Sequence, residues 1–406
     1  MSSDMTDTVY RRVRLTPDEL VDVHVTKGLI AAFLPPSPDS ATIDAKNIVD
    51  ATNHLLLPPL VEPHAHLDKA FLSERIDNPT GDLMGAIRGM ETARATLNRA
   101  DTTSRAVRAV HLLSTRGVQL IRSHADTTVD TSLQNVEALL EVKAGCSSIA
   151  DLQVAALVGW PLSGLAGAEN RALARAAIEA GVDVIGGCPH LDENPAESLR
   201  FLFDLANEAG VALDLHADEN TRTTSIDLET CADMVISTGS RIDIAASHCV
   251  SLGCQPESIQ HRVADKVAQA SMRVIALPLT NLYLQGRESS SNVPRGLAPI
   301  PLLRSHGVIV AAGGDNLQDP FNPLGKGDPL ETACFMVLAG HDLIEDALSA
   351  VTRHASMAVG VTPVDIKVGS PADFLLINAA TAREAVSMQT HERVVVRRGI
   401  PLQTRI

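Results

Sequence analysis

Histidines and carboxylates recur in this chain at spacings that suit a metal ion. His64 and His66 flank a single alanine in VEPHAHLD, directly after the apolar run LLLPPLV. In an extended segment, residues two apart project to the same side, so both imidazoles can face one point. Further along, SHAD carries His124 and Asp126, and GCPH carries His190. DLHADE carries His216, Asp218 and Glu219, while ASHC carries His248 and GGDN carries Asp315. Neutral imidazole and carboxylate are ligands of zinc(II) and iron(II), and a catalytic ion keeps one position open for water. A His-x-His pair alone reads equally well as two ordinary histidines at a loop start. The decision rests on what the rest of the chain places beside it.

These residues close short apolar runs. The runs span 55–66, 117–126, 151–159, 181–190, 210–219, 241–249, 272–281 and 307–315. Each has the length and near-continuous apolar character of a buried parallel strand. Helix-period segments lie between them, such as ENRALARAAIEAG (169–181) and AESLRFLFDLANEAG (196–210). Both close on a glycine that suits the position just past a helix end. Eight strand–helix units in a row predict an α/β fold, a (β/α)8 TIM-type barrel, with a doubly wound open sheet as the alternative. A barrel of this kind carries its chemistry at the C-terminal ends of the strands, which is where the histidines and acids fall.

The two ends of the chain read differently. The segments YRRVRL, VDVHV, DFLLIN and RVVVRR predict half-exposed antiparallel strands. The expected organisation is a small β-sandwich-like domain assembled from residues 1–54 and 364–406, with the barrel over 55–363 inserted between its halves.

Composition narrows the function. Of 406 residues 45% are apolar and 20% charged, which fits a globular protein rather than a disordered one. A formal charge of −15 with no basic run argues against nucleic acid or an anionic membrane as partner. Six cysteines without a CxxC pair suit a reduced, cytoplasmic protein. MSSDMTDTVYRR lacks the apolar core of a signal peptide, and no later run approaches the ~20 residues of a membrane span. The expected partner is a small molecule, and a homo-oligomer is compatible with the sequence.

His64, His66, His216 and Asp315 are the expected ligands of one divalent ion, zinc ahead of iron(II). Such an ion lowers the pKa of bound water from about 15.7 to roughly 7. Asp315 can also accept the water proton. Glu219, three residues beyond His216, can shuttle a proton to a ring nitrogen or leaving amine as general acid and base. His248 can orient the nucleophile or stabilise charge at the tetrahedral centre. Taken singly, Glu219 reads as a solvated loop acid and His248 as a packed histidine.

In this order VEPHAHLD, DLHADE, ASHCVSL, LTNLYLQGR and GGDNLQDPFNPLG resemble the amidohydrolase superfamily, and more narrowly its cytosine deaminase branch. The likeness runs from about residue 55 to the closing VGSPADFLLI. The resemblance implies a barrel with one divalent ion on the same four ligands, Glu219 as proton shuttle and His248 beside the attacking water. It implies an aminohydrolase: hydroxide generated on the ion attacks a ring carbon of an amino-substituted nitrogen heterocycle and expels ammonia or a small amine. Two-metal members of the superfamily bridge their ions with a carboxylated lysine ending strand four. Here that strand reads VIGGCPH, without lysine, and Cys188 and His190 read as structural.

The departures concern the substrate. The branch's pyrimidine-reading glutamine is replaced by Gly159, followed by Trp160. Its second aspartate is replaced by Asn316 and its stacking tryptophan by Phe321. A site built to hydrogen-bond one heterocycle rejects analogues by several powers of ten, so the substrate is expected to be other than cytosine. HLDKAF resembles branch members that remove amines from s-triazine rings, which places Lys69 at the barrel mouth, facing an anionic or oxo-substituted ring. The plainer reading of Lys69 is a surface cation paired with Asp68. Trp160, Gln285, Asn316 and Phe321 are the further expected substrate contacts. The alternatives are a cyclic amidase or an N-alkylamino-triazine aminohydrolase on the same site. A silent metal-binding barrel would have no use for Glu219.

Overall fold

The computed structural model describes residues 8–38 and 45–402. Residues 1–7, 39–44 and 403–406 of the expected terminal domain, with most of the N-terminal segment tested for a leader, lie outside the described residues. The first strands are β1 (Thr8–Thr16), β2 (Glu19–Thr26), β3 (Leu29–Leu34), β4 (Asn47–Asp50) and β5 (His54–Leu57). The middle of the chain supplies β6 (Leu60–Ala65), β7 (Val118–Thr127), β8 (Asp151–Val158) and β9 (Val184–Gly187). It continues with β10 (Ala212–Ala217), β11 (Ile244–His248), β12 (Arg273–Ala276) and β13 (Ile309–Ala312). The last are β14 (Phe374–Asn378), β15 (Arg393–Arg397) and β16 (Ile400–Pro401).

Strands β6 to β13 lie side by side in chain order, each parallel to the next, with helices between them. This is the expected TIM-type barrel. Its seam is closed by backbone at the strand ends: Asp315 N–H donates to the His64 carbonyl (3.0 Å) and His66 N–H to the Asp315 carbonyl (3.1 Å). The main core lies between strands and helices, where Val118, Ile121, Val154, Ala156, Val158, Leu213 and Leu215 meet residues such as Leu139, Leu199 and Leu202. Helices 168–180 and 195–209 end on Gly181 and Gly210, both left-handed (φ +94° and +66°), as their sequences predict.

Strands from both ends form a separate sheet in the order β16-β15-β14-β5-β1-β2-β3, with β4 beside β1. Its core gathers Tyr10, Val13, Val23, Ile30, Phe374 and Val396, and the Tyr10 and Phe374 rings meet edge to face at 5.2 Å.

Two runs divide where the sequence reads them as continuous. The first breaks at Pro58–Pro59: Leu55, Leu56 and Leu57 pair with β14 in the terminal sheet, and only β6 enters the barrel. Proline lacks the N–H that a central ladder needs, so the chain changes sheets there. The seventh strand stops at Ala276, and LPLTN passes into helix Pro278–Leu284 with Pro278 in its first turn.

Candidate active site

Barrel closure brings together imidazoles from strands far apart in sequence. His64 lies in β6 and His66 one residue beyond it; His124 ends up beside them from β7, His216 from β10 and His248 from β11. All five are buried. Asp315 follows β13. His66 Nε2 lies 3.2 Å from His216 Nε2 and 3.3 Å from Asp315 Oδ1, and His64 Nε2 lies 3.6 Å from Asp315 Oδ1. Those separations approach the ~3.3 Å between ligand atoms of a tetrahedral site with bonds of about 2.0–2.1 Å.

Electrostatics favours a cation at this point. Burial, helped by the neighbouring imidazoles, pushes His64 and His216 well below the ordinary histidine pKa, so their nitrogen lone pairs stay free. Burial, followed by the Lys69 ammonium, likewise lowers the pKa of His66, whose Nδ1 accepts from Lys69 Nζ. His64 Nε2, His248 Nε2 and both Asp315 carboxylate oxygens are buried without a hydrogen-bond partner. Buried polar atoms without partners are costly, and here they converge. The donor set therefore fits a divalent ion.

A second cluster, His64 with His124 and Asp214, also has its donor atoms within 4.8 Å of one another. Its carboxylate is already committed. Arg122, itself buried, holds Asp214 Oδ2 at 2.8 Å, and Ser247 Oγ donates to Asp214 Oδ1 at 3.1 Å. Asp315 carries no such load, which makes it the available carboxylate ligand. The Asp214 network also orients His64. Ser247 Oγ lies 2.8 Å from His64 Nδ1. Because Ser247 spends its proton on Asp214, it accepts from His64 Nδ1–H, and Nε2 is left as a lone pair aimed at the cluster. In the same way His248 Nδ1–H donates to Asn281 Oδ1 (2.9 Å), freeing its Nε2.

Backbone strain accompanies this arrangement. His248 and Asp315 have φ of +68° and +64°, a conformation that costs non-glycine residues about 1 kcal/mol or more. Around Asp315 it is held by the seam hydrogen bonds and by Glu62. The buried Glu62 carboxylate accepts Gly314 N–H on both oxygens (3.0 Å each) and His64 N–H on Oε1 (3.2 Å). A Cβ at Gly313 would stand 2.7 Å from Glu62 Oε1, so GGD admits no side chain there.

Glu219 is buried beside the cluster, its Oε1 3.6 Å from His248 Nδ1. Burial, then the Asp315 charge, raises its carboxyl well above the ordinary glutamate value, which favours the protonated form. Burial raises Asp315 itself to about 6.

A cleft of about 670 Å³, its open mouth included, leads down to these groups. His66, His216, Glu219, His248 and Asp315 face it, and so do Lys69, Trp160, Asn316 and Phe321. Lys69 is buried: its Nζ sits 2.7 Å from Asp126 Oδ1, 3.0 Å from His66 Nδ1 and 3.7 Å from Asp68 Oδ1. Burial disfavours its charge, but Asp126 and Asp68 outweigh that and hold its pKa above the ordinary lysine value. The ammonium thus lies inside the cleft with Asp126 as its close partner, rather than on the surface with Asp68. The Asn316 amide is used at both ends, accepting from Thr280 Oγ1 (3.1 Å) and donating to Asp319 Oδ2 (2.9 Å). Gln285 is not among the residues facing the cleft; its Nε2 donates to the Glu219 carbonyl (3.2 Å), behind the shuttle candidate. His190 Nδ1 donates to the His216 carbonyl (3.0 Å), and Cys188 faces the cleft.

Sequence reasoning passed over Glu62, Arg122, Asp214, Ser247 and Asn281. One local signal was present: Asp214 precedes His216 by two residues, so strand alternation puts both on the same side. Helix Leu83–Ala93, which sends Leu83, Ile87 and Met90 into the cleft, was also missed.

Comparison with known proteins points one way. A model described as the amidohydrolase family matches residues 73–400, beginning just past the His64–His66 pair. A pterin deaminase of Rhizobium rhizogenes is 30% identical over 384 residues, covering 93% of this chain and 86% of that protein. The crystal structure of 5-methylcytosine deaminase from Klebsiella pneumoniae liganded with 5-fluorocytosine aligns with a TM-score of 0.88 at 30% identity, covering 98% of both chains. That of N-isopropylammelide isopropylaminohydrolase from Burkholderia multivorans aligns at 0.83 and 26% identity, again covering 98% of each.

Proposed function

The chain belongs to the amidohydrolase family, in its cytosine deaminase-like branch, and is a hydrolase of C–N bonds; from that premise we propose that it deaminates an amino-substituted nitrogen heterocycle other than cytosine, using a single divalent ion. His64, His66, His216 and Asp315 would hold the ion, zinc ahead of iron(II). The observation that carries this reading is the convergence of partnerless donors from β6, β10 and the end of β13, with the Glu219 carboxyl buried beside them.

When bound, such an ion lowers the pKa of a coordinated water toward about 7 and supplies a nucleophile near neutral pH. The chain's own residues handle the protons. His248 Nε2, freed by the Asn281 contact, accepts a hydrogen bond from the attacking water and aims it. Asp315 takes the proton that leaves that water. Glu219, whose protonated form burial favours, donates to a ring nitrogen as the oxygen–carbon bond forms. It then takes the hydroxyl proton of the tetrahedral carbon as that carbon collapses to the carbonyl, and passes it to the departing amine. The atoms balance: water and the amino-substituted ring carbon yield a ring carbonyl and ammonia. Lys69 and Asp126, side by side in the cleft, offer a donor and an acceptor to the edge of the ring. Asn316 is restrained as a platform rather than a free reader, and Phe321 and Trp160 supply apolar contact with the ring.

The test is an ammonia-release screen over aminopyrimidines, aminotriazines, pterins and cyclic ureas, with protein of measured metal content. Release proportional to bound metal is the expected result. Ring opening without ammonia would instead identify a cyclic amidase, and no turnover by fully loaded protein would overturn the hydrolytic reading.

A further inference from the structure

Resting on the reading above, we infer that the substrate carries a saturated hydrocarbon substituent, seated on an apolar wall made by Leu83, Ile87, Leu157 and Leu191. The wall has two sources. Helix Leu83–Ala93, started by Asp82 accepting Gly85 N–H on Oδ1 (2.6 Å), presents Leu83, Ile87 and Met90 to the cleft at helical spacing. Leu157, which lines the same cleft, is the last interior residue of β8. Val154, Ala156 and Val158 join the main core outside the barrel, so alternation turns Leu157 inward.

Its position is the informative point. The neighbouring strand ends carry His64, Asp126, His216 and His248 into the same cleft or its floor; β8 alone among these brings a leucine. Ile87 and Leu157 are 8% and 9% exposed, Leu83 and Leu191 are half-buried, and all four line the cleft. Met90 packs with Leu72, Ile76 and Phe321, which ties the helix to a fixed backing. The apolar surface these side chains leave toward the cleft is covered best by a hydrocarbon group. A second, fused nitrogen ring would set its ring nitrogens against leucine and isoleucine without hydrogen-bond partners, which is unfavourable. Among the polar residues that line the cleft, Arg94 is held through Nη1 by Asp130 at 2.9 Å.

The experiment uses the metal-loaded full chain and three compounds that share one reacting ring: 2-amino-4-oxopyrimidine, its 6-isopropyl derivative, and pterin. Binding is read by titration calorimetry and turnover by ammonia release. At about fourfold per buried methylene, the isopropyl compound should bind ten- to a hundredfold tighter than the parent and tighter than pterin. The Ile87→Asn/Leu157→Asn double variant should bring that ratio close to one, while Leu157→Met, which keeps an apolar wall and checks for misfolding, should preserve it. Equal binding of parent and isopropyl compounds, tighter binding of pterin, or a ratio that survives the double variant would each overturn the inference. Alkyl preference without ammonia from any compound would keep the wall and defeat the hydrolytic reading. Ammonia without alkyl preference would do the reverse, and absence of binding by all three would defeat both.

Discussion

The floor and the wall of the cleft are built on opposite principles. The floor concentrates polar atoms that protein alone leaves unpaired: His64 Nε2, His248 Nε2 and both Asp315 oxygens. The wall concentrates apolar side chains, Leu83, Ile87, Leu157 and Leu191, that line the cleft. One leaves polar atoms without partners, and the other offers the cleft only apolar surface. The difference teaches where each part of the chemistry resides. On the proposed reading the floor would answer to a cation and a proton shuttle, and the wall to the identity of the organic group.

The comparison breaks most completely at the floor. His64→Ala should lose bound metal and activity together, as followed by elemental analysis and ammonia release; full occupancy in that variant would remove His64 from the ligand set. Glu219→Gln should retain metal and lose about 10²–10⁴-fold in kcat, the usual range for a positioned acid–base group. Near-normal turnover would take Glu219 out of the proton path.

One layer further out the effects shrink. Ser247→Ala removes the group that fixes the His64 ring, and metal affinity should fall about 10–100-fold in a chelator competition. Ser247→Thr, which keeps the hydroxyl, should recover most of it. An unchanged affinity in the alanine variant would deny the network its orienting role.

The floor also predicts a pH response. Burial holds His64, His66, His124 and His216 well below their ordinary value of 6.5, and His190 at about 3. The unfolded chain therefore binds more protons than the folded one in acid. The stability these groups contribute is present above about pH 6.5 and is lost as pH falls below it, each group costing up to about 1.4 kcal/mol per pH unit. Raised buried carboxyls such as Glu62 (about 8) and Asp319 (about 7) act in the opposite sense, so the imidazole contribution is read by difference. The Tm of chelator-treated protein should fall more between about pH 7 and 5 than that of chelator-treated His190→Gln, and equal falls would mean that His190 is already charged when folded.

The smallest effect is expected at the wall. Ile185, fully buried in the main core, should cost about 2–5 kcal/mol on truncation to alanine. Ile87, 8% exposed with the cleft on one side of it, should cost less than Ile185 in the ligand-free protein. Equal losses on chemical denaturation would show that Ile87 is ordinary core.

Much of the architecture was legible because it is written locally. The eight runs became β6 to β13, helices ended at Gly181 and Gly210, and His64, His66, His216 and His248 lie in or next to strand ends. Where the reading slipped, a proline decided: Pro58–Pro59 sent Leu55–Leu57 to another sheet, and Pro278 turned the tail of the seventh run into helix. Gln285 was out of reach for another reason. A polar residue near a predicted site gives no sign of whether it faces the cavity or, as here, the back of Glu219.

By itself, then, the sequence determined which segments are strands and which residue types stand at their ends, since periodicity and end position need only neighbours along the chain. Only the tertiary structure decided that Asp315 rather than Asp214 is the free carboxylate, because Arg122 reaches Asp214 from 92 residues away. It likewise decided that Lys69 lies in the cleft against Asp126, that Glu62 grips Gly314 across 252 residues, and that helix Leu83–Ala93 lines the cleft. Such pairings arise when the barrel closes and brings its first and last strands together, and no local pattern encodes that meeting.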